Sequence, residues 1–91
     1  VNKVAEKVIE LNDIPGVLEC RAIIANKDPY GAVQEEFDYL KGQYVADLQG
    51  KFGIDSVEDG GDHIVLHDVD TEEVDRLNDR FSYNLKEIVE G

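Results

Sequence analysis

Ninety-one residues, 42% of them apolar, are long enough for one domain, residues 1–91, with a core of its own, and the ordinary apolar fraction excludes disorder as the meaning of the high charge. The net charge of −12, from 21 acidic and 9 basic residues, excludes nucleic acid and anionic membrane as direct partners and favours basic proteins or cations. A single cysteine, Cys20, excludes an internal disulfide and fits a reducing compartment.

The first segment, Asn2 to Asn12, reads as a helix, with Val4, Val8 and Leu11 on one face and Asn2 as its cap. It is amphipathic rather than signal-like, and no run approaches the roughly 18 apolar residues of a membrane span, so a soluble cytoplasmic protein is expected. Asp13-Ile14-Pro15-Gly16 then ends the helix, because proline disfavours helical geometry in its predecessor and glycine supplies a turn. From Val17 to Ala25 the pattern predicts a strand: Leu18, Cys20, Ala22 and Ile24 share an apolar face, and Val17, Glu19, Arg21 and Ile23 a mixed one. Such alternation suits a sheet covered by helices on one side and partly wet on the other.

Asp28 to Gly50 reads as one long helix of about 30 Å. Asp28 caps it, Pro29 takes the first helical position, and Gly50 is the expected stop. Tyr30, Val33, Phe37, Leu40, Tyr44 and Leu48 form its buried stripe. Ile54–Glu58 and Asp62–Asp68 follow as two short strands joined through Asp59-Gly60-Gly61, with Ile64 and Leu66 inward and His63, Val65 and His67 outward. Ile54 and Val57 differ in parity, which calls for a bulge or an early end in the first of these strands. Asp70-Thr71-Glu72-Glu73 is a capping box opening a last helix, whose stripe is Val74, Leu77, Phe81, Leu85 and Ile88. The expected fold is therefore a two-layer α+β domain in the order α-β-α-β-β-α, with a three-stranded, mainly antiparallel sheet and a long central helix.

The IPGV step resembles the loop before a sheet strand in ferredoxin-like regulatory domains of the ACT and AsnC type. The resemblance covers about a dozen residues; it implies a small regulatory α+β domain and names no site residues. Those domains carry a strand ahead of their first helix.

Function has to be read from charge. Between Asp55 and Asp79 ten acidic residues face the single Arg76. A solvated surface, with Glu72 and Glu73 favoured by the helix dipole, accounts for this as well as a docking patch does. As a patch, Asp59, Asp62, Asp68, Asp70, Glu72, Glu73 and Asp75 would present carboxylates where phosphates lie in the nucleic-acid channel of a basic protein. Glu35, Glu36 and Tyr39 on the long helix form a second candidate set, since Ala32, Glu35, Tyr39, Gly42, Gln43 and Ala46 lie opposite its buried stripe. Salt adaptation is a weaker account, because the chain keeps six lysines to three arginines.

The remaining chemistry is sparse. An EF-hand frame from Asp55 places Gly60 correctly but puts Val57 and Leu66 at ligand positions, so it fails; a looser carboxylate site at Asp59, Asp62 or Asp68 is the residual metal option, and no metal or cofactor is expected. His63 and His67 on one strand face lie about 13 Å apart, too far to share an ion. Cys20 reads as a small buried hydrophobe, and Ser56 and Ser82 lack a nucleophile's context. The leading expectation is a non-enzymatic acidic protein that inhibits a basic partner, such as a nuclease or other nucleic-acid-binding protein. In size and charge it is comparable to phage anti-defence polyanion mimics and toxin-immunity proteins. The alternative is a regulatory or structural module that forms a homodimer through its long helix or open sheet face. An enzyme ranks third.

Overall fold

The computed structural model describes residues 3–91. It is an α+β fold with a three-stranded antiparallel sheet and a long helix. The elements run β1 (Lys3–Glu10), α1 (Val17–Asn26), α2 (Ala32–Phe52), β2 (Val57–Asp59), β3 (His63–Asp70) and α3 (Thr71–Glu90), and the sheet order is β1-β3-β2. The order is thus β-α-α-β-β-α, and the first two elements exchange the types read from the sequence.

The segment expected as a helix from 2 to 12 is a strand; its proposed cap, Asn2, lies outside the described residues. Lys3–Glu10 pairs along β3 from Lys3 opposite Asp70 to Glu10 opposite His63. β2 covers one edge of β3 only from Leu66 to Ile64, whereas β1 pairs with the other edge along its whole length. Apolar residues at 4, 8 and 11 fit a helical period, and Leu11 is indeed buried, but sheet pairing buries Ile9 in place of Val8, which is left 51% exposed.

The expected strand at 17–25 is helix α1. Val17 and Cys20 are fully buried and Ile24 packs against the core, a helical three-and-four spacing, whereas Leu18 is 56% exposed. Nearly every residue of this stretch is apolar, so alternation and helical period were both available, and packing against α2 and α3 selects the helix. Gly16 makes the turn into α1 with φ 101°, and its backbone lies close enough to α3 that an added Cβ would stand 3.0 Å from Leu85 Cβ. The Ser82 hydroxyl donates to the Pro15 carbonyl at 2.8 Å, so the IPG loop is tied to α3 by one hydrogen bond and one close approach. IPGV therefore leads from a strand into a helix, and the chain does carry a strand ahead of its first helix.

Helix α2 starts at Ala32 rather than Asp28, yet Asp28 still caps it: its two carboxylate oxygens accept from the N–H groups of Val33 at 3.1 Å and Gln34 at 3.0 Å. Pro29 and Tyr30 form the turn between them, which leaves Tyr30 95% exposed and outside the stripe. Phe37, Tyr44 and Leu48 are buried as expected. Gly50 is inside the helix; the stop is Gly53, with φ 98° and its N–H on the Gln49 carbonyl. A short 3-10 turn at Ile54–Ser56 resolves the parity conflict before β2.

On β3, Ile64, Leu66 and Val69 are all fully buried although 66 and 69 differ in parity. Asp68 stands between them in the left-handed region, φ 56°, and rotates Val69 back to the core; aspartate tolerates this geometry better than most residues. The helices cover the Ile64 and Leu66 face. α2 and α3 run antiparallel, with Lys51 3.3 Å from Glu73 at one end and Tyr44 stacked on Phe81 at 4.6 Å midway.

Candidate functional site

The acids proposed from the sequence do not form one patch. Asp59 and Asp62 sit at the β2–β3 hairpin, Asp68 and Asp70 lie toward the opposite end of β3, about 20 to 26 Å from Asp62 at strand rise, and Glu72, Glu73 and Asp75 follow on α3, which runs back over the sheet. Glu35, Glu36 and Tyr39 lie near the start of α2, where Glu36 stands beside Glu87 and Ile88 close to the end of α3, about 24 Å from Glu72 along that helix. Sequence proximity suggested continuity that an extended strand removes.

Several of the candidates have structural roles. The Asp59 carboxylate accepts from the Gly61 N–H at 2.9 Å and lies 3.9 Å from Lys41 Nζ, which itself donates to the Gly61 carbonyl at 2.8 Å. Asp62 stands 4.0 Å from Arg21, whose guanidinium also lies over the Phe37 ring. Asp70 caps α3, accepting from the Glu72 N–H at 2.9 Å, as the capping box implies. Glu73 turns away from the cap to Arg76 at 2.8 Å and Lys51 at 3.3 Å. Asp68 serves the backbone turn in β3 and is exposed. Glu35 and Glu36 are exposed in the first turn and a half of α2, and Tyr39 is 60% exposed on the face opposite the stripe.

Asp75 is different. It lines an open groove of about 480 Å³ with Lys7, Val8, Ile9 and Glu10 of β1, Asp13, Ile14 and Pro15 of the following turn, and Asn78 and Asp79 of α3. Each wall has a local cause. The capped start of α3 sends Asp75 and Asp79 along one side, one turn apart. The Ser82 bond and the Gly16 approach hold the IPG loop at the end. The floor is β1, an edge strand of the sheet. Four carboxylates, Glu10, Asp13, Asp75 and Asp79, thus line the groove with one cation, Lys7, although alternation with the buried Ile9 turns the Glu10 side chain to the open sheet face. Among the described residues none of the four forms an ion pair. Nothing local in the sequence marks Glu10 and Asp13, which fall in the expected helix and its terminating turn, or singles out Asp79 within the acidic run.

Comparison with known protein families, curated proteins and solved structures found no match.

The other chemically distinctive groups lie elsewhere. On the open sheet face His67 Nε2 lies 2.9 Å from the Glu58 carboxylate, and that hydrogen bond raises its pKa above the ordinary 6.5, with further help from the charges of Glu58, Glu6 and Asp68. Cys20 is buried, and burial together with the Glu19 charge pushes its thiol pKa up, away from nucleophile character. Among the described residues no group of three or more histidine, cysteine or acidic side chains is arranged to hold a metal ion, and no helix is long and apolar enough to cross a membrane.

Proposed function

We propose that this protein is a small acidic binding protein that docks on a basic surface of a partner protein and inhibits it by occupying a site built for a polyanion. The observation that carries this reading is the groove between β1 and α3, which Asp13, Asp75 and Asp79 line with Lys7 as its one cation and Glu10 flanks from the strand edge. Uncompensated carboxylates in a concave site focus negative potential and speed encounter with a cation-rich surface. The hairpin and cap acids belong to the fold and serve as background charge.

The test is affinity for a basic nucleic-acid-binding protein, measured by calorimetry across salt concentrations. A Glu10→Gln, Asp13→Asn, Asp75→Asn, Asp79→Asn variant is set against an Asp59→Asn, Asp62→Asn control. The groove variant should lose tenfold or more at low salt, about 1.4 kcal/mol, and show a shallower salt dependence. Equal affinity for wild type and groove variant would remove the basis for the reading.

A homodimer through α2 is the second reading. It is favoured by Tyr39 standing 60% exposed near Gly42, where an added Cβ would meet nothing within 4 Å. Sedimentation at two concentrations, with Tyr39→Glu as the control, separates the two; a monomer throughout counts against the dimer.

A further inference from the structure

β1 is eight residues long and, among the described residues, hydrogen-bonded on one side only, since the sheet order is β1-β3-β2. The Leu11 N–H reaches the Asp62 carbonyl at 3.0 Å in the same register that sets Ile9 opposite Ile64 and Lys7 opposite Leu66. Antiparallel ladders alternate, so the residues between these, Val8 and Glu10, turn their backbone N–H and C=O groups to the free edge. That edge opens into the groove of about 480 Å³ beneath α3. An unpaired strand edge is a template for another strand.

We propose that the free edge of β1 is a strand-addition site for an extended basic segment of a partner protein. The proposal rests on the reading above and adds its mode of binding. Lys7–Glu10 offers about 13 Å of edge, enough to pair roughly four residues of a ligand strand. Alternate side chains of that strand point toward α3, where Asp75 and Asp79 wait, and the intervening ones lie beside Val8 and Glu10 on the open face.

Charge selects this occupant over a second copy. An antiparallel β1–β1 pair centred on Val8 sets Glu6 against Glu10 of the partner, and one centred on Lys7 sets that lysine against itself. Either register also brings together two chains of net charge −12. In both of these registers the charges on β1 oppose self-pairing, and the walls of the groove favour lysine or arginine.

The experiment uses two peptides of about eight residues, alternating lysine and valine, identical except that one has its alternate amides N-methylated so that it cannot complete a ladder. The unmethylated peptide should bind at low salt and slow hydrogen exchange at the Val8 and Glu10 amides, and methylation should weaken it by about tenfold or more. Val8→Pro removes the same donor on the side facing away from β3, where proline is tolerated, and should give a similar loss. If that variant misfolds, the methylated pair on the unaltered chain still decides. Equal binding of both peptides, with unchanged exchange at Val8 and Glu10, would overturn strand addition and leave the basic-partner reading standing. Absence of binding by either peptide overturns the edge proposal, and the salt-dependent affinity for a basic protein then judges the wider reading alone. Protection of the same amides that grows with concentration of the free protein assigns the edge to a second copy, which also overturns it.

Discussion

Gly16→Ala tests the joint on which the groove depends. Gly16 has φ 101°, and a Cβ there would lie 3.0 Å from Leu85 Cβ and 3.7 Å from Leu85 Cδ1, on a residue that is fully buried. Left-handed backbone costs alanine about 1 to 2 kcal/mol. Overpacking a filled core costs about 1 to 3 kcal/mol more, because neither the helix backbone of α3 nor a Cβ atom can swing aside. Restricting the unfolded chain returns about 0.4 to 1 kcal/mol. The expected net loss is about 2 to 4 kcal/mol, a large fraction of the roughly 5 to 14 kcal/mol expected for a chain of this size. Urea unfolding should show a lower midpoint at unchanged slope, and the Tm should fall by about 10 °C or more. Gly31→Ala is the control. Gly31 has φ 74° and ψ 13° with nothing within 4 Å of an added Cβ, so only the backbone term applies there, about 1 kcal/mol. If the two variants fall within about 0.5 kcal/mol of each other, the close packing of the IPG turn on α3 is not what stabilises it.

Tyr44 is stacked on Phe81 and its hydroxyl donates to Asn78 Oδ1; burial drives its pKa well above the ordinary value of 10. In an alkaline absorbance titration one of the four tyrosines should resist ionisation until the fold opens, and Tyr44→Phe should remove that late transition while costing about 1 to 2 kcal/mol for the unpaired Asn78. His67 should titrate above 6.5 by NMR and return toward that value in Glu58→Gln. Since the folded state binds this proton more tightly than the unfolded chain, its stabilisation is complete below about pH 6.5 and is lost as pH rises through the folded pKa; an unshifted His67 in the intact protein would contradict the Glu58 bond. Asp28→Ala should lower stability by about 1 kcal/mol in urea unfolding, since it frees the Val33 and Gln34 N–H groups, and a loss below about 0.3 kcal/mol would show that water caps the helix equally well.

Much of the second half of the chain was legible without coordinates. The stripe of α3 from Val74 to Leu85, the Asp70 cap and the glycine hairpin between β2 and β3 each rest on local chemistry that admits one solution. The capping carboxylate of α2 was likewise readable, although its helix begins four residues later, because Asp28 reaches across the Pro29–Tyr30 turn. The first half was not legible. Residues 3–10 and 17–26 carry apolar side chains at spacings compatible with either period, and what decides between strand and helix is long-range: one edge of β3 pairs with β1, and α1 packs against both α2 and α3.

The groove follows the same division. Composition alone settles that the surface is strongly anionic and that most of its acids have no lysine or arginine to pair with, since 21 carboxylates cannot be matched by 9 basic side chains. Which carboxylates converge is a tertiary matter. Glu10 and Asp13 come to line one groove with Asp75 and Asp79 across more than sixty residues of chain, because the Pro15–Ser82 hydrogen bond and the Gly16 turn dock the end of β1 on α3. No local pattern encodes that meeting; it exists only once the edge strand and the last helix are packed together.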